Sequence, residues 1–559
     1  MPIRERPRGH LVIATLLATM LLAIAGQRMP AVVPATAAPG EVSGERAMAL
    51  LRRVAAQPHG LEQPAHDVVR DLLVQELTAS GWLPELQKGV FGQPVVNVLV
   101  PIAGTASTGT VLLVAHYDSV FEGPGAGDDG AGVVSWCEAL RALKASNWQP
   151  RNDVLLLLTD GEEYGLLGAH EFAYRDKRVA KVKTIVNLEA IGNGGPAYLF
   201  ELGPHNGPRV RLFADAVARP AGSSLAEAVY HLLPNDTDLS VFLKRGTQGF
   251  NLALARGSCA YHAPHDTADN IDPRSVQHMA DCAAALARRL GDADLDALRG
   301  DDVSFFDVLG AGMVVYPRAF DVGFAALATA LALAALWRLR PGARSLAVVL
   351  LRHVVGVALL LAIVVGGAWL CQRGADLLLP RPGHVAGNTT SGALLFAGAV
   401  AFALSCALPK PDAWLEHVEL RAAAAAVLWS LAGFAACWWL SGSAFACTWP
   451  AIAAMVPLLL PKAARDSVPA MLLPLLCACL VGLPILHLLT QLMEREPLVA
   501  LGIVTAATAS AARLLAVPLV ALAHVRGPRR FLWVVAAAGL LGAVVVARGL
   551  GWRCGSLWP

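Results

Sequence analysis

Charged residues are scarce in this chain of 559 residues, because Asp, Glu, Lys and Arg together make up only 16% of it. Neither sign dominates, since 45 Lys and Arg stand against 43 Asp and Glu. A net charge of +2 provides no overall basic field for nucleic acid and no acidic tail for cations. Nucleic-acid binding is therefore not expected, and the oligomeric state is left open.

Cysteine pairs with metal-binding or redox spacing are missing from the first half of the chain. Only Cys137, Cys259 and Cys282 lie between residues 41 and 300, and none belongs to a C-x-x-C motif. This pattern argues against a zinc knuckle or a redox dithiol. We interpret these cysteines as buried small apolar residues, with at most one disulfide among them.

Hydrophobic residues, by contrast, make up 55% of the chain and are unevenly distributed. Residues 41 to about 300 have the composition of a soluble domain. A helix needs about 17–25 apolar residues to cross the hydrocarbon core of a bilayer. One apolar run, 11–26, lies near the amino terminus behind three arginines. Eight more candidate spans follow the soluble stretch, at about 319–337, 345–370, 391–408, 419–440, 444–460, 468–489, 498–522 and 531–547.

Basic residues in the loops between these runs predict the topology, because Lys and Arg concentrate on the cytoplasmic side. The loops 338–344, 409–421, 461–467 and 524–530 carry ten Lys and Arg, whereas the intervening loops 371–390, 441–443 and 490–497 carry three. The first set is predicted to be cytoplasmic. The soluble domain and the carboxyl terminus then lie outside, and the basic amino terminus agrees.

Four regions follow from these patterns. The first run is either a retained signal anchor or a cleaved signal peptide, since the small residues Ala35-Thr36-Ala37 follow it. The predicted layout is an amino-terminal signal region at 1–40, an extracytoplasmic domain at 41–300, an eight-helix membrane region at 319–547 and an extracytoplasmic tail at 548–559.

The soluble domain shows short β-branched or leucine-rich segments that alternate with helical periodicity. Alternation of this kind predicts an α/β domain with a mostly parallel central sheet flanked by helices, here combined with an all-α transmembrane bundle. Helices are predicted near 132–144, 207–218 and 275–290. The predicted strands are Val95–Val100, Thr110–Ala115, Asp153–Thr159, Thr184–Leu188 and Gly249–Leu254.

Polar side chains follow three of these strands, at the edge where parallel sheets place their ligands. His116 follows one strand, Glu162 and Glu163 another, and Glu189 a third. Imidazole and carboxylate are ligands that zinc accepts, and a shared carboxylate keeps two ions about 3.5–4 Å apart. Five groups could share two zinc ions, with Asp128 in its glycine-rich loop as the bridge: His116, Asp128, Glu163, Glu189 and His262.

The order and spacing of these segments resemble the M28 family of zinc aminopeptidases. The resemblance covers about residues 45–290 and is closest to the branch that contains vacuolar membrane proteases and endoplasmic-reticulum metallopeptidases. The segments that carry it are His116-Tyr117-Asp118, Asp128-Asp129-Gly130-Ala131-Gly132, Asp160-Gly161-Glu162-Glu163-Tyr164-Gly165, Asn187-Leu188-Glu189-Ala190 and Tyr261-His262.

The resemblance implies a role for each site residue. His116 and Glu189 would bind one zinc, Glu163 and His262 the other, and Asp128 would bridge them. Many soluble members have Asp where this chain has Glu189, although Glu fits the membrane branch. Glu162 matches the general base, and Asp118 the carboxylate that orients His116 through its other ring nitrogen.

Substrate contacts are predicted less directly. Asp236 and Asp238 lie in a segment that resembles the family's Asp-rich stretch before the last strand, and Tyr261 precedes a ligand. An ordinary turn and a packed aromatic ring explain these residues equally well. The expected substrate is a peptide with a free amino terminus, and the lipid bilayer is the expected environment of the helices.

Two alternatives stay open at this stage. One is a glutaminyl-cyclase-like enzyme with a single zinc, and the other is a non-catalytic membrane scaffold of the same fold. Retention of all five ligand positions and of Glu162 favours the di-zinc hydrolase. The composition favours a multi-pass protein of the bacterial inner membrane with a periplasmic domain; in a eukaryote the same topology would face a vacuolar or reticulum lumen.

Overall fold

The structure is a computed structural model that describes residues 29–308, 310–378, 418–461 and 467–495, together with a few positions in 11–18, 464 and 507–515. These residues form two compact units. One contains residues 29–317, and the other contains the described residues from Arg318 onward. The predicted spans 391–408 and 531–547 and the tail 548–559 lie outside the described residues, as does most of 498–522.

The first unit is built on one seven-stranded mixed sheet. In spatial order its strands are β1, β2, β4, β3, β5, β7 and β6. The four central strands β4, β3, β5 and β7 are parallel, and the other three pairings are antiparallel. The strands are β1 Glu85–Phe91, β2 Gln93–Ile102, β3 Thr110–His116, β4 Asp153–Thr159, β5 Val182–Ala190, β6 Gly194–Glu201 and β7 Gln248–Arg256.

The central strands are buried along nearly their whole length because both of their faces are covered. Every residue of β3 is buried, whereas β1 at the edge alternates exposed and half-buried positions. A strand covered on both sides has no polar face, as is usual for parallel sheets. The predicted parallel core is confirmed, and β1 and β6 are strands that the sequence analysis missed.

Amphipathic helices cover the two faces of the sheet. On the helix Gly44–Val54, the buried positions Ala47, Met48, Leu51 and Val54 recur at helical spacing and point into the larger core. Two short helices, Leu167–Arg175 and Asp238–Leu243, cover the other face of the sheet with Phe172 and Phe242. The helices of this unit are α1 Gly44–Val54, α2 Ala65–Ala79, α3 Gly132–Ala145, α4 Leu167–Arg175, α5 Gly207–Ala216, α6 Ser224–Tyr230, α7 Asp238–Leu243 and α8 Pro273–Gly291.

A β-hairpin extends the first unit beyond the predicted boundary at residue 300. Its strands are β8 Val303–Asp307 and β9 Met313–Pro317. Phe305 and Phe306 are fully buried, and Ser224 at the start of α6 exchanges hydrogen bonds with the backbone of Phe305. The hairpin is therefore part of the same packed unit.

The second unit contains the apolar helices. Three of them are long and apolar enough to cross a membrane, namely Phe320–Leu339, Arg344–Gly366 and Val418–Trp439. Buried alanines line their contacts, which is the small-residue packing expected of helices in a bilayer. The helices are α9 Phe320–Leu339, α10 Ala343–Leu378, α11 Val418–Trp439, α12 Phe445–Leu459 and α13 Val468–Arg495.

Candidate metal centre

The register of two parallel strands brings the first pair of candidate ligands together. Val114 of β3 pairs with Asn187 of β5, so His116 and Glu189 each lie two residues further along their strands. Residues two apart on a strand point to the same face. His116 Nε2 accordingly lies 3.8 Å from Glu189 Oε2, and both side chains are buried.

The loop Ala126–Ala131 carries Asp128 into the site, and Asp266 holds it there. The Asp266 carboxylate accepts hydrogen bonds from Gly127 N at 2.7 Å and Asp128 N at 3.1 Å. A Cβ at Gly127 would lie only 2.6 Å from the carbonyl oxygen of Gly192. Glycine is therefore required for the backbone to approach so closely.

The two oxygens of Asp128 face different histidines. Asp128 Oδ1 lies 3.1 Å from His116 Nε2, and Asp128 Oδ2 lies 3.3 Å from His262 Nε2. His262 Nε2 is also 3.0 Å from Glu163 Oε2. The site thus has two halves, His116 with Glu189 and His262 with Glu163, which share one carboxylate.

Asp118 supports both strand-end loops. The backbone carbonyl of Asp118 lies 3.0 Å from His116 Nδ1, while its carboxylate is 3.6 Å from that nitrogen. The carboxylate oxygens accept the N–H groups of Glu162 at 3.0 Å and Glu163 at 3.2 Å. The structure therefore links Asp118 to His116 mainly through the backbone, and its side chain holds the loop of the predicted base.

Protonation in this cluster reflects burial and shared charge. Burial raises the pKa of Glu162 well above its usual range, and the nearby carboxylates Asp238, Glu163 and Asp128 raise it further although His116 opposes them. Burial likewise raises the pKa of Glu163 to about 7. These two groups retain protons more readily than ordinary glutamates.

The shared carboxylate and its histidines form charge-assisted contacts. Burial on its own would raise the pKa of Asp128, but the hydrogen bonds of His116 and His262 outweigh it and lower that pKa to about 2. Burial on its own would lower the pKa of His262, but its hydrogen bonds to Asp128 and Glu163 outweigh burial and raise that pKa to about 10. Protons here occupy positions that a bound cation would take over.

The donor set fits a zinc centre. Ligand atoms of His116, Asp128 and Glu163 all lie within 4.8 Å of one another. Glu163 Oε1 is buried and has no hydrogen-bond partner in the structure. A buried polar atom without a partner is costly unless another group satisfies it. Imidazole nitrogens and carboxylate oxygens are ligands that zinc takes, and a coordinated cation would satisfy this oxygen.

The three predicted substrate residues have different surroundings. The ring of Tyr261 stacks on the ring of His262, with centroids 3.7 Å apart. Asp238 is fully buried at the start of α7, where its carboxylate accepts a hydrogen bond from Thr159 Oγ1. Asp236 is exposed, and it forms an ion pair with Lys244 at 2.9 Å. Among the described contacts, only those of Tyr261 reach a ligand side chain.

Several polar groups around the centre were not predicted. Asp266 is one, and its position four residues after His262 was the available signal. Another group is a buried chain in which Asn187 donates to Asn251 at 3.0 Å and Asn251 donates to Glu201 at 2.9 Å. Asn187 Nδ2 also lies 3.5 Å from Glu189 Oε1. These hydrogen bonds support the ligand Glu189, and of their members only Asn187 lies in a motif that the sequence analysis cites.

Comparison with known families identifies the domain. The model of peptidase family M28 matches residues 97–287, which include all five candidate ligands. Residues 97–287 are a peptidase family M28 domain. The M28 domain is a metallopeptidase domain, and its family and donor set support zinc as the metal.

Two curated relatives are similar to part of this chain. Endoplasmic reticulum metallopeptidase 1 of Homo sapiens is 32% identical over 231 residues, which is 40% of this chain and 26% of the relative. The vacuolar membrane protease of Candida albicans is 34% identical over 240 residues, which is 41% of this chain and 28% of the relative. This chain therefore spans about a quarter of the length of these relatives.

Solved structures resemble part of the chain at lower identity. An aminopeptidase from Aneurinibacillus sp. strain AM-1 is 13% identical with a TM-score of 0.37, covering 44% of this chain and 93% of the other. A glutaminyl cyclase from an Acidobacteriales bacterium is 19% identical with a TM-score of 0.36, covering 47% of this chain and 99% of the other.

Proposed function

We propose that this chain is a membrane-anchored di-zinc aminopeptidase that removes residues from the amino termini of peptides outside the cytoplasm. One observation carries the proposal: the two oxygens of Asp128 face two different histidines, each of which has its own glutamate. This arrangement supports two metal positions bridged by Asp128. His116 and Glu189 would hold one ion, and His262 and Glu163 the other.

Zinc ions bound at these positions would supply an acidified water and polarise the scissile carbonyl. Glu162 is the proposed general base. Its backbone N–H is held by Asp118, and its carboxylate would accept a proton from the water and later return it to the leaving amine. Glu162 is adjacent to the ligand Glu163, and the two are assigned different roles.

Selection of the amino terminus would follow from charge. The two zinc ions would balance the charge of the three ligand carboxylates, so a free α-amino group would be held by one metal and by nearby carboxylates outside the ligand set. Tyr261 stacks on His262, and its ring is suited to pack against the first residue of the peptide. An acetylated amino terminus lacks this charge and should be a poor substrate.

Membrane attachment would come from the apolar helices. Among the described residues, three helices are long and apolar enough to cross a bilayer, and the loop charges favour an M28 domain outside the cytoplasm. We propose a multi-pass protein, with a periplasmic M28 domain in a bacterium or a lumenal one in a eukaryote. The helices are assigned an anchoring or assembly role.

The remaining alternatives differ in metal content. A glutaminyl-cyclase-like enzyme would use one zinc, and a non-catalytic scaffold would have lost ligands or the base. The presence of two histidine–glutamate pairs and of Glu162 supports the di-zinc hydrolase over both.

The test uses the full chain purified in detergent and supplied with zinc. Elemental analysis should give two zinc ions per chain, and the protein should release the first residue from a free peptide but not from its N-acetylated copy. The Asp128→Asn variant controls for contaminating peptidases and should be inactive. One zinc per chain with cyclisation of N-terminal glutamine would replace this proposal, and equal cleavage of both peptides would indicate an endopeptidase.

A further inference from the structure

A buried histidine outside the region matched by the M28 model joins both ligand-bearing loops. His66 lies near the start of α2, and its side chain is 8% exposed. Its Nε2 atom is 3.1 Å from the buried Asp160 Oδ1. Its Nδ1 atom is 3.1 Å from the carbonyl oxygen of His59. Both ring nitrogens thus face acceptors.

Asp160 forms the stem of the loop that carries Glu162 and Glu163. The backbone carbonyl of Asp160 accepts Gly168 N at 2.7 Å, which closes the loop. Its second carboxylate oxygen accepts Val96 N at 2.7 Å. The carboxylate therefore joins the loop stem to β2 on one side and to His66 on the other.

The same histidine also touches the loop that follows β3. Its ring stacks on Tyr117 with centroids 5.2 Å apart, and Tyr117 lies between His116 and Asp118. The hydroxyl of Tyr117 lies 3.5 Å from His66 Nε2 and donates to the carbonyl oxygen of Val96 at 2.9 Å. His66 is thus wedged between the two loops.

The segment before α2 adds a second link. The backbone N–H of His59 donates to Ser119 Oγ at 2.8 Å, and the carbonyl of the same residue faces His66 Nδ1. Burial lowers the pKa of His66, but the Asp160 carboxylate outweighs it and raises that pKa above its usual value. A ring with a partner at each nitrogen is a stiff connection between helix and loops.

From these contacts we infer that His66 is a positioning residue for the peptidase reaction, holding the loop of Glu162 in place through Asp160 and the loop of His116 through Tyr117. The inference rests on the proposed function, since it assigns the amino-terminal helices a part in catalysis. It predicts that loss of the His66 tether lowers kcat more than it changes KM. A general base must be held within hydrogen-bond reach of the water, so a small displacement is costly.

The decisive experiment compares four variants of the full chain at saturating zinc. His66→Leu removes the tether, and His66→Gln keeps a donor that can reach Asp160. The double variant His66→Leu/Asp160→Asn removes the tether without leaving a buried charge unpaired, so it remains informative where the single variant fails to fold. The matched control is His205→Gln, which alters an exposed histidine in the loop that follows β6.

Two readouts are measured. The His66→Leu and double variants should have kcat at least about tenfold lower, as expected for a misplaced base, with KM changed less than about threefold. The His66→Gln variant should recover most of the activity, and the control should match the wild type. Hydrogen exchange at residues 160–168 should rise in the two tether-free variants and stay unchanged in β7.

The outcomes separate this inference from the proposed function. Wild-type kcat and exchange in the double variant would overturn the positioning role of His66. So would exchange that rises uniformly across the domain, since that indicates general destabilisation. A wild-type protein without peptidase activity would refute the proposed function instead, and the exchange measurement would still decide whether His66 holds the loop.

Discussion

Replacing Asp118 by asparagine tests the role that the structure gives its carboxylate. One oxygen accepts the N–H of Glu162 and the other accepts the N–H of Glu163. The amide in Asp118→Asn has nearly the same shape but only one acceptor oxygen. One backbone N–H must then face an NH2 group, and the loop of the proposed base loses a hydrogen bond.

The size of the effect follows from the bond that is lost. A hydrogen bond to a charged acceptor contributes about 1.5–3 kcal/mol. If that energy is lost from the transition state, kcat falls about 10- to 150-fold, because 1.4 kcal/mol corresponds to a factor of ten. The histidine contact is less affected, because His116 Nδ1 lies nearer to the backbone carbonyl of Asp118 than to its carboxylate.

The assay measures kcat, KM and bound zinc for the full chain with a peptide substrate. Asp67→Asn is the matched control, since Asp67 is an exposed aspartate on α2 that pairs with Arg70. We expect Asp118→Asn to keep two zinc ions and to lose at least tenfold in kcat, while the control does not change. A kcat within threefold of the wild type would refute the argument that this carboxylate positions the base.

Four further predictions concern the base, the metal, the topology and the extent of the domain. Glu162→Gln should lower kcat by about 10²–10⁴-fold with zinc retained, and loss of zinc would make Glu162 a ligand instead. Zinc affinity, measured by chelator competition, should fall as the pH falls from 8 to 6. The reason is that two ligands must release protons to bind zinc: His262, with a pKa of about 10, and Glu163, with a pKa of about 7. A zinc affinity that does not change with pH would argue against these ligands. A reporter active only outside the cytoplasm should be active at Gly300 and silent at Gly342, and the reverse would invert the topology. A secreted fragment of residues 29–317 should be folded by circular dichroism and resist protease, whereas a fragment that ends at residue 300 should be protease-sensitive. The reason is that each buried Phe lost with the hairpin costs about 3–5 kcal/mol of folding free energy. Equal protease resistance of the two fragments would mean that the hairpin is dispensable.

The parallel core was predictable from sequence because its strands are buried on both faces. The stretches 111–115 and 154–158 are uninterrupted apolar runs that are followed by polar residues. Strand β1 escaped prediction because its edge position leaves an exposed, mixed sequence, and β6 because it begins with Gly194 and Gly195. Propensity says little where a strand is defined by its neighbour in the sheet.

The candidate ligands were predictable for a related reason. Each candidate ligand ends a strand, follows a strand or lies in a glycine-rich loop. The local sequence therefore predicts that each of them lies at the carboxyl edge of the sheet. The supporting residues could not be found in this way. Asp266 and His66 act on segments more than 50 residues away, through contacts that exist only after folding. The helices outside the described residues stay predictions.

The link between Asp266 and the loop of Asp128 constrains the order of events during synthesis. The shared carboxylate is held by a residue that is made 138 positions later, and His262 is made only four residues before that clamp. A nascent chain that has not yet reached Asp266 has neither a complete donor set nor a fixed Asp128. On the proposed function, metal loading would therefore follow completion of nearly the whole domain, and the unfinished chain would have no working hydrolytic centre.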